Sequence, residues 1–208
     1  GYSDALMTKS VRLNLFKDYE SMDSDAIISS ALDIYADEST MKSEYGDVLT
    51  INTDDDNVKK ILHNLFYDIL NIEFNLWPWI RNMCKYGDFF LQLKIDEKYG
   101  ITNVIPLSVY DVSRIEGIDP ENPEYVKFLL ESSTSEHRYK AEKSATRLEL
   151  ENYEVAHFRL LSDSNYLPYG KSQVEGARKI YKQLTLMEDA MLIHRIMRAP
   201  EKRIFKLD

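Results

Sequence analysis

The feature that most constrains this 208-residue chain is a long helical segment near its C-terminal end. Residues 153–159 alternate like a strand and residues 160–171 read as a loop. Residues 173–199 then keep helical periodicity until Pro200. Ser172-Gln-Val-Glu175 has the spacing of a capping box, in which the hydroxyl and the carboxylate satisfy each other's backbone amides. Gly170 allows a tight approach from the Leu167-Pro-Tyr loop, and Pro200 biases Ala199 away from helical geometry. Two apolar stripes run along this helix. Ala177, Ile180, Tyr181, Leu184, Met187 and Met191 form one, and Leu186, Ala190, Ile193 and Met197 form the other. At about 100° per residue their mean directions differ by more than a third of a turn. Such a helix needs apolar neighbours on two sides. A place inside a larger bundle would supply them, and so would neighbouring subunits. Few other segments are long enough to surround it, which favours subunits.

Upstream, the pattern predicts an α+β fold: helices first, then mainly antiparallel strands, then the long helix. Residues 1–20 read as an irregular arm with Leu13, Leu15 and Phe16 as anchors. Helix signals begin near Asp23-Ser24, with Ile27, Ile28, Ala31, Leu32 and Tyr35 at helical spacing, and residues 48–51 are a short strand candidate. Thr53 is expected to cap a helix with Asp56 at the capping-box position, and its stripe of Val58, Ile61, Leu62, Leu65, Phe66 and Ile69 is expected in the core. Adjacent acids diverge on a helix, so Asp54, Asp55 and Asp56 read as helix-start chemistry rather than as a metal site. Trp77-Pro-Trp79 reads as the first turn of another helix, with Gly87 as its C-terminal cap. Residues 89–95 and 101–107 flank a Gly-containing turn and form a hairpin. Further strands are expected at 110–115, 125–130 and 153–159, with a turn at Pro120 and Pro123 and a polar loop or hairpin tip over 132–144.

Composition narrows the function classes. No apolar run approaches the ~18 residues of a membrane span, and Gly1-Tyr-Ser-Asp-Ala lacks the basic and apolar parts of a signal peptide. Cys84 is alone, so it forms no internal disulfide and fits a buried thiol in a reducing compartment. The net charge is −9, yet residues 171–208 hold nine Lys/Arg against five Asp/Glu. That end is therefore +4 and the rest −13, which argues against tight wrapping of nucleic acid by the body. Gly170-Lys171-Ser172 matches the end of a phosphate-binding P-loop between strand and helix. The first glycine of that motif is replaced by Asn165, and Pro168 removes an amide donor. His157 is expected to pack within its strand. The absence of an initiator Met, and the strand-like Arg203-Ile-Phe-Lys-Leu-Asp208 with no closing element, lead us to expect a piece of a longer protein.

Residues 153–208 resemble the portal proteins of large contractile-tailed bacteriophages. The match runs through Glu154-Val-Ala-His157-Phe-Arg159, Tyr166-Leu-Pro-Tyr-Gly170-Lys-Ser172, Glu175-Gly-Ala-Arg178 and onward to Ala190. Met191-Leu-Ile-His-Arg195-Ile-Met-Arg-Ala-Pro200-Glu-Lys-Arg203 completes it. The resemblance implies a wing-like domain over 1–172, a stem-like helix over 173–199 and the start of a clip-like region over 200–208. It further implies a ring of identical subunits, usually a dodecamer, at one capsid vertex in the virion, assembled in the host cytoplasm. Such a ring nucleates head assembly with capsid and scaffold proteins and docks the terminase. Later it binds neck and tail-connector proteins, and double-stranded DNA passes through it without sequence specificity. Portals of this kind are structural, with no catalytic residue, cofactor or metal. On this reading Arg178, Tyr181, Lys182, Leu184, Met187, Glu188, Asp189, Met191, Ile193, Arg195 and Arg198 are the subunit-interface or channel candidates. Glu188 and Asp189 would pair with the basic residues. Tyr169, Gly170, Ser172, Glu175 and Pro200 shape the loop and caps of the helix. A nucleotide-binding enzyme built on Gly170-Lys171-Ser172 is the alternative.

Overall fold

The computed structural model describes residues 2–118, 120–122, 125–131, 147–161 and 166–199, with side chains from residue 9 onward. The expectations for 132–144, for Pro123 and for Pro200 onward lie outside the described residues. Among these residues the chain is α+β, as the pattern predicts: five α-helices and two three-stranded antiparallel sheets.

Helix α1 (Tyr2–Asp23) occupies the segment expected to be an irregular arm. Phe16, Tyr19 and Met22, three residues apart, put one face of it into the core. The charged residues between them hide that period in a short window. Helix α2 (Ala26–Ser39) starts at Asp25, whose carboxylate accepts from the amides of Ile27 at 2.9 Å and Ile28 at 3.3 Å. Its Leu32 and Ala36 are buried, whereas Ile27 is 82% exposed and points away from the core. Residues 48–51 form no strand; the Leu49 carbonyl instead accepts from the Tyr67 hydroxyl at 2.5 Å. Helix α3 (Asp56–His63) is capped by Asp55, not Thr53, and runs into one π-helical turn (Asn64–Ile69). None of its expected stripe is buried, and Ile61 is 68% exposed. Helix α4 (Ile72–Tyr86) begins a turn and a half before Pro78, which sits inside it, and ends at Gly87 with φ +86° as expected.

Helices α2 and α4 meet along a polar seam. Ser29, Asp33 and Asp37 recur every four residues on α2, and Trp77, Arg81 and Lys85 do so on α4. Arg81 donates to Asp33 at 2.5 Å, to Ser29 at 3.0 Å and, across to the end of α1, to Asp23 at 2.8 and 3.2 Å. Lys85 also reaches Asp23 at 2.8 Å, and the Trp77 indole donates to Asp37 at 2.7 Å. Arg81 therefore ties three helices together, reaching α1 through Asp23 and α2 through Ser29 and Asp33.

Strands β1 (Asp88–Asp96) and β2 (Gly100–Leu107) form the expected hairpin. Asp96 accepts from the amides of Lys98 and Tyr99, and Gly100 takes φ +73°. Strands β3 (Val112–Glu116), β4 (Val126–Glu131) and β5 (Arg147–Glu151) make the second sheet; β5 carries no expectation from the sequence. After one 3₁₀ turn, β6 (Val155–Arg159) returns to the first sheet on the far side of β1, giving the order β2-β1-β6. Register places His157 opposite Phe90, and Arg114 opposite Phe128. The two sheets touch at these rows, where Phe90 meets Phe128 edge-on at 6.1 Å. Helix α5 (Glu175–Arg198) leaves from this junction.

Hydrogen bonds from Arg81, opposed by partial burial and reinforced by Lys85, lower the Asp23 pKa from its ordinary 3.8 to about 2. The folded state thus holds the ionised form more tightly than the unfolded chain does. The resulting stability, on the order of 2 kcal/mol, is present above pH ~4 and is lost as pH falls through about 2. Asp23→Asn should lower the melting temperature by roughly 4–8 °C at pH 7. Thermal scans of the two proteins should converge by pH 2; an equal gap at both pH values would rule out this charge as the source.

Candidate functional site

The chain reaches α5 by crossing the end of α4 at two glycines. A Cβ on Gly170 would lie 2.0 Å from the Gly87 carbonyl oxygen, and one on Gly87 would lie 2.7 Å from the Lys171 carbonyl carbon. Only backbone fits between them. Three main-chain hydrogen bonds close the crossing: Leu160 N–H to Gly87 O, Lys171 N–H to Leu160 O and Gln173 N–H to Cys84 O.

Beneath the crossing lies Asp88, 1% exposed. Its Oδ1 accepts from the Gly170 amide at 2.9 Å and pairs with His157 Nε2 at 2.8 Å, and its Oδ2 faces Arg12 of α1 at 3.4 Å. The Arg12 guanidinium also lies 3.3 Å from the centroid of the Tyr169 ring. Burial lowers the Arg12 pKa, and Tyr169 and Asp88 oppose that shift. The Tyr169 hydroxyl accepts from the Arg114 amide at 2.9 Å, tying the same loop to β3. One buried polar cluster thus joins α1, both sheets and the segment before α5.

The capping box expected at the start of α5 is not formed. Ser172 is buried, and its hydroxyl donates to the Cys84 carbonyl at 3.3 Å while accepting from the Val174 amide. The helix begins at Glu175, and the Glu175 carboxylate turns sideways to accept from Tyr19 at 2.6 Å and from Arg178 at 2.8–3.1 Å. Partial burial pushes the Glu175 pKa upward, but the bonds from Arg178 and Tyr19 outweigh it and hold it below the ordinary value. Arg178 and Lys182 both grip Asp18 of α1, at 3.1 and 2.6 Å, and the Tyr181 hydroxyl donates to Ser21 O. At the other end Ala199 keeps helical geometry, so no bend precedes Pro200.

These contacts also bear on nucleotide binding. A phosphate cradle needs free amides at the Gly-Lys-Ser turn. Here the amides of Gly170, Lys171, Gln173 and Val174 are all taken by protein acceptors, and the Lys171 ammonium lies 5.6 Å from the Tyr166 ring centroid. Among the described residues no group of His, Cys, Asp and Glu is arranged to hold a metal ion, and no helix is long and apolar enough to cross a membrane.

Among the described residues no side chain of α5 is buried, and from Lys182 onward all are exposed. Ile180, Leu184, Met187 and Met191 lie on the side away from α1, between 48% and 67% exposed. Leu186, Ile193 and Met197 form a second bare row, and Leu192 and Ile196 continue the α1-facing row past the end of α1. Of the first stripe, only Tyr181 packs against the core.

Residues 12–208 match the family of the Bacteriophage T4-like portal protein (Gp20). The chain belongs to this portal family. It is also similar to a protein named "Portal protein" from Vibrio phage KVP40, with 24% identity over 214 aligned positions. That alignment covers 93% of this chain and 42% of the phage protein, so the chain spans about two fifths of that relative's length. In this portal-family chain the interface candidates fall into two groups. Arg178, Tyr181 and Lys182 are anchored to α1, whereas Leu184, Met187, Glu188, Asp189, Met191, Ile193, Arg195 and Arg198 lie on the projecting part of the helix. The sequence reading missed Arg12, Asp18, Tyr19, Asp88 and Arg114, whose roles arise from long-range contacts. The only local trace of Asp88 is an acid set directly before Phe89-Phe90-Leu91.

Gly170→Ala should destabilise the fold by at least about 2 kcal/mol, since backbone atoms on both sides must move. Gly176 in α5 has no atom within 4 Å of an added Cβ. Gly176→Ala should therefore stabilise by up to about 1 kcal/mol. Urea unfolding of both variants checks the pair, and similar midpoints would contradict the crossing.

Proposed function

We propose that the chain is part of a structural, non-enzymatic subunit that assembles with identical copies into a phage portal ring. Residues 1–172 serve as its wing-like domain, 173–199 as its stem-like helix and 200–208 as the start of its clip-like region. The observation that carries this reading is the exposed apolar surface of α5. Two bare rows on a helix rooted in a rigid junction mark a surface to be covered in an assembly. Neighbouring copies cover it through Leu184, Met187, Met191 and Ile193. Arg195 and Arg198 meet acidic partners such as Glu188 and Asp189 of adjacent stems, or face the channel.

The subunit belongs to the virion, at the capsid vertex, with assembly in the host cytoplasm. The ring, a dodecamer in the full-length protein, nucleates head assembly with capsid and scaffold proteins, docks the terminase and later the neck and tail-connector proteins, and passes double-stranded DNA. The net charge of −9 supports passage rather than retention, because a surface rich in cations would hold phosphate. Arg178 and Lys182 are bound to Asp18 within the chain, so they contribute to an interface only together with α1.

The full-length protein should appear as rings with a central hole by negative-stain electron microscopy, with a matching mass by light scattering. Ile193→Asp should abolish those rings while the circular dichroism and melting of the body stay unchanged. Rings that persist in this variant would show that the second row is not an interface.

A further inference from the structure

The joint at the root of α5 is asymmetric toward protons. The His157 ring is 4% exposed, stacked on Phe90 at 4.3 Å and closed edge-on by Phe128. Its Nε2 lies 2.8 Å from Asp88 Oδ1, and its Nδ1 lies 3.2 Å from the Arg114 guanidinium. A guanidinium only donates, so Nδ1 is the acceptor, and a carboxylate accepts, so Nε2 carries the proton. These partners fix the neutral ring with its hydrogen on Nε2. A second proton has one place to go, Nδ1, where it meets the Arg114 cation head-on. Arg114 has somewhere else to turn, because it already pairs with the more exposed Glu116 at 2.6–2.7 Å. Asp88 Oδ1, which takes the His157 hydrogen, also takes the Gly170 amide.

We propose that His157 is a proton-operated latch: a proton on Nδ1 expels Arg114 of β3, and the imidazolium draws Asp88 Oδ1 toward itself and away from the Gly170 amide that fixes the root of α5. The groups facing the ring are Asp88 from β1, Arg114 from β3, Arg159 from its own strand, Arg12 from α1 across Asp88, and the Tyr169 ring at 6.3 Å. Strand β4 contributes only Phe128. Burial lowers the ring's pKa below its ordinary 6.5, Asp88 opposes this, and Arg114 and Arg159 add to the lowering. The latch is therefore closed at neutral pH. Its stabilising effect declines as pH falls below 6.5 and is lost on passing the folded value, because the unfolded chain takes the proton first. The device stands on the geometry of the root alone, whether or not copies form a ring.

The test is an NMR titration of the 208-residue chain from pH 8 to 4.5, following the His157 ring and the exchange protection factor of the Gly170 amide. Protection at Gly170 should fall at least tenfold with the same midpoint as the His157 ring. His157→Gln keeps an N–H for Asp88 but cannot titrate, so the step should vanish. Arg114→Gln removes the opposing cation and should raise the midpoint by about one pH unit. Protection that stays constant while His157 titrates would overturn the latch, as would a step that survives in His157→Gln. If His157→Gln does not fold, an unchanged midpoint in Arg114→Gln is equally decisive against it.

Discussion

A carboxylate removed from water needs compensation from charged or hydrogen-bonding neighbours, and Asp88 gathers its neighbours from three distant parts of the chain. Arg12 comes from α1, His157 from β6, and the amide of Gly170 from the segment that leads into α5. Removing any one of them leaves part of a buried charge uncompensated, which costs more than the pairing itself contributes. The position of α5 relative to both sheets is therefore specified by a polar joint, with the Gly87–Gly170 crossing setting how close the backbones come. Apolar packing alone, through Phe90, Phe128 and Val174, would tolerate more sliding.

The helix built on this joint is held at one end and bare along most of its length. Tyr19, Asp18 and Ser21 grip Glu175, Arg178, Lys182 and Tyr181. Past Thr185, apolar and charged side chains stand in solvent on every side. A rigid base and a sticky, unsatisfied rod suit a subunit whose helix is completed by its neighbours. The family match extends over residues 12–208 and so includes this helix.

What the sequence revealed follows from the range of each interaction. The β1–β2 hairpin, the Gly87 cap and α5 itself depend on neighbours within a few residues and were legible from turn chemistry and periodicity. The double stripe on α5 was legible for the same reason, and the exposure of Leu186, Ile193 and Met197 shows why it stands out. Ser172 misled because its hydroxyl, held by the Cys84 carbonyl, accepts from the Val174 amide rather than from that of Glu175. Helix α1 was hidden by charges such as Arg12 and Asp18, which serve long-range partners rather than solvent. The stripe on α3 has the right spacing yet stays outside the core, since periodicity reports a face without saying what covers it. Asp88, Arg114 and His157 meet across 43 and 69 residues of chain, a distance no local pattern spans.

Amide hydrogen exchange along α5 tests the central claim most directly, comparing the isolated 208-residue chain with the assembled full-length protein. The account predicts weak protection from residue 184 onward in the isolated chain and a rise of several orders of magnitude on assembly, with residues 88–96 unchanged. Equal protection of α5 in both states would mean that neighbouring copies do not cover this helix.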